Sequence, residues 1–213
     1  MIQNDTSKEL AQTYAELRKK LTLLNVYWDN FCVLYTDKNA VDVLNRSASD
    51  YFSMNQTIWS DFIILEISKL TDPELMNKYK NLSFERIVKL VDESKYPDLK
   101  KSLEADIKDL DDICKPIRNI RNKLISHNDL EGFIQPQTKA IDNVFIRDIE
   151  QALQKMGEIL DKIRKYFKVD ESIPCIHSLR FDARKLLELL GNSERDVSIE
   201  KNPEAQYISY FTK

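Results

Sequence analysis

The chain has 213 residues, 42% of them hydrophobic and 31% charged, with a net charge of −3; this suits one ordinary domain, or one with an appendage, and excludes a disordered chain. Three glycines and six prolines are too few for the tight turns of a strand-rich fold, so the composition predicts an all-α protein. The acidic balance argues against sequence-blind coating of nucleic acid, and two histidines with three scattered cysteines (Cys32, Cys114 and Cys175) argue against a zinc centre.

The first ten residues, MIQNDTSKEL, are polar and hold no apolar core of a secretory signal. From Leu10 the apolar positions Tyr14, Leu17, Leu21, Leu24, Trp28, Phe31 and Tyr35 follow at spacings of four and three, a heptad seam along one long helix capped near Thr6 or Ser7. A second helical block spans about Ala40 to Leu70 and stops at Thr71-Asp72-Pro73, because the residue before a proline disfavours helix. Its densest apolar run, FIILEI at 62–67, is far too short to span a bilayer. The expectation is therefore a cytoplasmic protein with reduced thiols and no membrane partner.

A short helix follows Ser83, which can cap it, with Glu85 in its first turn. The next block runs from about Asp98 to His127, and Pro116 is expected to start, kink or restart it. The loop EGFIQPQTKAIDN, 131–143, leads to a second heptad seam through Ile146, Ile149, Leu153, Met156, Leu160, Ile163 and Phe167. SLRFDARKLLELLG then reads as one amphipathic helix ended by Gly191, followed by a tail, 192–213, that carries Tyr207, Tyr210 and Phe211. The predicted architecture is an antiparallel helical bundle over 1–170, with a C-terminal extension of helix plus tail over 171–213.

Chemistry concentrates in RNKLISHND, 121–129. Between Lys115 and Lys123 stand four cations (Lys115, Arg118, Arg121, Lys123) and no acid, directly after the acidic run EADIKDLDD. At roughly 100° per residue, Lys115, Arg118, Asn122, Ser126 and Asp129 share one polar face, and Ile113, Ile117, Ile120 and Leu124 the opposite one. Arg121 and His127 flank the apolar stripe on its two sides, about 9 Å apart along the axis. An arginine there commonly snorkels or forms an internal ion pair, and a histidine near a helix end commonly caps carbonyls. Against that stands the company of cations, amide and hydroxyl, a surface suited to phosphate with a group titrating near neutral pH. Glu66 falls beside Trp59, Phe62 and Leu70, so its carboxylate needs a partner: Arg121 or His127, or else an ordinary structural cation. No P-loop, dinucleotide fingerprint or nucleophile elbow occurs, and no cofactor or metal is expected.

The stretch IRNIRNKLISHND, 117–129, resembles the signature of HEPN domains, an arginine and a polar residue followed by a histidine. With TIWSDFIILEISKLTDP at 57–73, a Trp-led apolar helix closed by Leu, Asp and Pro, the chain is similar to the AbiU-like branch associated with abortive infection. That resemblance covers about residues 1–170. It implies Arg121, Asn122 and His127 as catalytic in a metal-independent ribonuclease that acts as a homodimer, and a 2′,3′-cyclic phosphate product. It also implies a nucleotidyltransferase antitoxin as a partner. Lys115, Arg118, Lys123 and Ser126 are the expected RNA-phosphate contacts, with Asp129 and Glu66 in support. The residue types suit the reaction, since histidine moves protons near pH 7 and arginine presents a planar fork to phosphate oxygens. The alternative is a non-catalytic helical module that binds a partner protein or nucleotide at the same groove.

Overall fold

The structure, a computed structural model, describes residues 8–122, 146–168 and 183–193. Among them are six helices: α1 (Lys8–Tyr35), α2 (Lys38–Leu70), α3 (Phe84–Lys89), α4 (Pro97–Ile120), α5 (Ile146–Phe167) and α6 (Ala183–Ser193). The only strands among the described residues, β1 (Leu75–Met76) and β2 (Tyr79–Lys80), form a two-stranded antiparallel hairpin. The fold class is all-α, as composition predicts. No described helix is long and apolar enough to cross a membrane.

The chain divides into two compact units, Met1–Leu23 with Ile64–Cys175, and Leu24–Ile63 with Ile176–Lys213. In the first, α4 packs against α5. Lys162 bonds Ser102 while Lys155 reaches Asp109, so the two helices run antiparallel. At the open end of that pair Tyr96 meets Tyr166 and Phe167 edge-on, with centroids 5.4 and 5.1 Å away. Ile149, Leu153, Met156, Leu160, Ile163 and Phe167 are buried along α5, the seam read from their spacing. α3 begins as expected: the Ser83 hydroxyl accepts from the Arg86 amide, and Glu85 lies in the first turn. The buried Lys100 ammonium donates to the carbonyls of Val88 and Val91, closing the far end of α3.

In the second unit, the end of α1 and the start of α2 form a helical hairpin joined through Thr36 and Asp37, whose carboxylate caps α2 by accepting from the Ala40 amide. Tyr27 stands edge-on to Phe62 and Trp59 across the pair, and Trp28, Phe31 and Tyr35 stack along the buried side of α1. α2 kinks at Ala48, whose ψ of 74° leaves the helical region.

Two local expectations change. α4 continues through Pro116 instead of restarting there; the carbonyl that its missing N–H leaves without a helical donor belongs to Asp112, an exposed residue. α6 starts at Ala183, whose amide donates to Asn30, and runs past Gly191 to Ser193. Gly191 keeps a helical rather than a left-handed conformation, so it does not end the helix. The hairpin at 75–80 had no expectation: Asn77, at φ 55°, makes the turn, a conformation that asparagine tolerates. The loop 131–143, Cys175 and the tail beyond 193 lie outside the described residues.

Candidate functional site

The site forms where the end of α2 meets the end of α4, inside the first unit. Pro73 blocks helix at Asp72, and α2 closes on Thr71, whose amide and hydroxyl both bond the carbonyls of Ile67 and Ser68. The turn is braced from the hairpin side. Asn81 donates to the Pro73 carbonyl at 2.8 Å, and the Glu74 amide donates to Glu85 at 2.8 Å. Asp72 is thereby presented at a fixed place.

On α4 the buried row is Leu103, Leu110, Cys114 and Ile117, and Arg121 continues it at the next helical spacing. Ile117 is fully buried as read from the angular projection; Ile113 and Ile120 are half-buried at its margin. The Arg121 guanidinium meets Asp72 end-on, Nη2 to Oδ1 at 3.1 Å and Nη1 to Oδ2 at 3.4 Å. The two side chains are 18% and 14% exposed, so this fork-to-carboxylate pair is largely withdrawn from water, where charge-assisted bonds are strongest. Arg121 Nε is buried and has no partner among the described residues. Arg121 and Asn122 follow α4 in π-helical geometry, a wider turn that recurs at functional positions, and Asn122 is exposed.

The cations behind Arg121 carry acids of their own. Arg118 bonds the Asp111 carbonyl at 2.9 Å and its carboxylate at 3.1 Å, while its Nη1 is buried and has no partner among the described residues. Lys115 pairs with Asp112 on the outer surface. Arg118 and Lys115 are thus paired with the acidic run one or two turns earlier on the same helix, which the linear separation of the two runs concealed. Beneath Arg118, burial pushes the Cys114 thiol up to about 12, against the opposing influence of Arg118 and a hydrogen bond with Thr71.

Glu66 does not meet Arg121. It accepts from Lys69 at 2.7 Å and Lys20 at 3.3 Å. Burial pushes its carboxyl up, and the two lysines more than offset that, holding it below the usual range. Asp72 takes the place beside Arg121 that the sequence reading offered to Glu66. Asp72 belongs to the LTDP stretch, and the signal for it is an acid fixed at a helix end by the following proline. Lys123, Ser126, His127 and Asp129 lie outside the described residues.

Two cavities flank the turn. One of about 360 Å³ is lined by Thr71, Pro73, Phe84, Glu85, Ile107, Leu110, Asp111 and Arg118. The other, about 250 Å³, is lined by Lys20, Glu66, Lys69, Leu70, Asp72, Asn81 and Leu82. Among the described residues no three His, Cys, Asp or Glu side chains come together so as to hold a metal ion.

Comparison with curated proteins and with solved structures finds no match. A family model does match: HEPN_AbiU2, described as AbiU2, over residues 7–193. The match extends past the resemblance read from the sequence and takes in α6, and it includes both the LTDP turn and the stretch that begins at Arg121. The chain belongs to the AbiU2 family of HEPN proteins.

Proposed function

We propose that this HEPN module is a metal-independent endoribonuclease of the toxin or antiphage kind. The observation that carries the reading is the anchoring of Arg121. Its fork is oriented by Asp72 at the end of a rigid helix, directly before the exposed Asn122 and six residues before His127. A pre-oriented guanidinium suits the charge that develops on a phosphate during cleavage, because no reorganisation is needed when it forms. His127 takes the proton of the 2′-hydroxyl, the 2′-oxygen attacks phosphorus as the P–O5′ bond breaks, and the 5′-oxygen takes a proton from water; the products are a 2′,3′-cyclic phosphate and a 5′-hydroxyl. Asn122 orients the phosphate, and Lys115, Lys123 and Ser126 follow the RNA backbone. Two copies of the chain form the working site, and a nucleotidyltransferase-type antitoxin restrains it in the cell.

The test is incubation of the purified protein with total RNA in EDTA, with Arg121→Ala and His127→Ala as controls and the new 3′ ends examined for cyclic phosphate. Cleavage abolished by EDTA and restored by a divalent ion removes the metal-independent mechanism. If Arg121 of one copy works with His127 of the other, unfolding and remixing the two inactive variants gives about half heterodimers, each with one intact site. About a quarter of wild-type activity then returns. Silence in the remixed sample rules out simple sharing.

A second reading has its own observation. Asp72 already occupies both terminal nitrogens of Arg121, which suits a module that binds a partner without cutting RNA. Under that reading total RNA stays intact at every ionic condition, while partner binding still depends on Arg121.

A further inference from the structure

The 360 Å³ cavity lies on the side of the turn away from Asp72: Thr71 and Pro73 line it, whereas the residue between them holds Arg121. Its size is at the lower end of small-molecule sites. Pro73, Phe84, Ile107 and Leu110 make its apolar walls, and its polar groups are of opposite kinds. Arg118 brings donors, including the buried Nη1 that has no acceptor among the described residues, and buried donors normally find one. Asp111 and Glu85 bring acceptors, and the Asp111 side chain is 58% exposed, so its carboxylate has room for more than its bond to Arg118.

Arg118 faces Asp111, and Glu85 is already paired with Lys89 at 2.9 Å, so the lining carries no surplus positive charge for a free anion. It favours a flat neutral group carrying acceptors on one edge and N–H donors beside them. Guanine has that pattern: O6 and N7 accept from an arginine fork, and N1–H and the 2-amino group donate to a carboxylate. Adenine sets an amino group where the fork needs an acceptor. Uracil meets only one arm of the fork.

We propose that this cavity binds a guanine base, with Arg118 reading O6 and N7 and Asp111 accepting from the N1–H and 2-amino edge. For guanine's place within an RNA substrate, next to the phosphate held near Arg121, the assignment rests on the ribonuclease reading; binding of the base itself does not.

The experiment is titration of the full-length protein with guanosine, adenosine, cytidine, uridine and inorganic phosphate, followed by calorimetry and by NMR of the Ile107 and Leu110 methyl groups. Guanosine is expected to saturate and to bind about tenfold or more tightly than the other nucleosides, shifting those methyls, with phosphate not displacing it. Arg118→Gln is expected to weaken guanosine about tenfold. Asp111→Asn, a change at an exposed carboxylate, is expected to shrink the preference for guanosine over the other nucleosides even if the first variant fails to fold. Failure of guanosine to saturate at millimolar concentration overturns the proposal, as do equal affinity for all four nucleosides, indifference to Asp111→Asn, or displacement by phosphate. Guanosine binding by a protein that leaves RNA intact removes the ribonuclease reading and keeps the pocket. RNA cleavage by a protein that ignores guanosine removes the pocket and keeps the ribonuclease.

Discussion

Two acidic residues of the first unit sit equally deep and are used differently. Asp106, in the middle of α4, receives Lys155 at 2.9 Å together with Lys162, whose ammonium also bonds Ser102, while Lys155 reaches Asp109 and Glu158 as well. Each partner there has a substitute, so the cluster stitches α4 to α5 even when one member moves. Among the described residues Asp72 has one cation, Arg121, whose buried Nε has no acceptor there, and Asp72 itself lines the 250 Å³ cavity. A redundant network resists exchange; a solitary pair next to open space can be traded for a ligand. The contrast separates a charge cluster with interchangeable partners from a single pair at the end of a helix.

The largest effect that sharpens this contrast is on activity. Arg121→Ala should lower RNA cleavage by about a hundredfold to a thousandfold, the usual cost of losing one transition-state donor, whereas Asp106→Ala should leave cleavage by the folded fraction unchanged. Single-turnover assays on both variants check it. Equal losses in the two would end the distinction.

Stability should rank them the other way. Asp106→Ala removes the shared acceptor of two lysines in a mostly buried place and should cost about 2–4 kcal/mol by urea unfolding. Asp72→Asn keeps the volume and one acceptor and should cost about 1–2 kcal/mol. A larger cost at Asp72 would make it the structural member of the two.

The pH dependence gives a smaller signal of the same kind. Burial raises the Asp106 carboxyl, but hydrogen bonds from Lys162 and Lys155 outweigh it and hold it below its ordinary 3.8. A group lowered in the folded state stabilises above its unfolded value, and that contribution fades as pH falls through the folded value. Lys155 is raised above 10.5, chiefly by Asp106, so its contribution is complete below that value and fades as pH rises past the folded one. The urea midpoint should therefore hold level between these limits and fall in acid, and Asp106→Asn should flatten the acid limb. An acid limb unaltered in that variant would assign the loss to other carboxylates.

The smallest effect belongs to the outermost pair. Lys115→Gln breaks a contact between two exposed side chains and should not move the urea midpoint measurably. It should, however, reduce the salt sensitivity of RNA binding if Lys115 follows the RNA backbone. Loss of stability in this variant would place Lys115 with Asp106 rather than with the site.

Helix positions were legible because burial imposes a period. Leu10 through Tyr35, and Ile149 through Phe167, are buried as their spacing required, and Pro73 and Ser83 mark boundaries by rules local to the backbone. The site was legible in part. Arg121 and Asn122 could be singled out as residue types, but the partner of Arg121 lies 49 residues away, and no local rule chooses between Glu66 and Asp72. What decides it is the end of α2, since only Asp72 is carried past the last helical turn. The neutralisation of Arg118 by Asp111 escaped for another reason: a side chain seven residues long in reach folds back along its own helix, which angular projection does not show.

Lys100 has a consequence for experiments in solution. The residue is 8% exposed and its ammonium is tied to the end of α3, so an acylating reagent can reach it only when α3 parts from α4. Its labelling rate, set against that of the exposed Lys115 on the same helix, reports how often this unit opens, and ligand-induced slowing at Lys100 reads occupancy of the neighbouring cavity without any measurement of RNA.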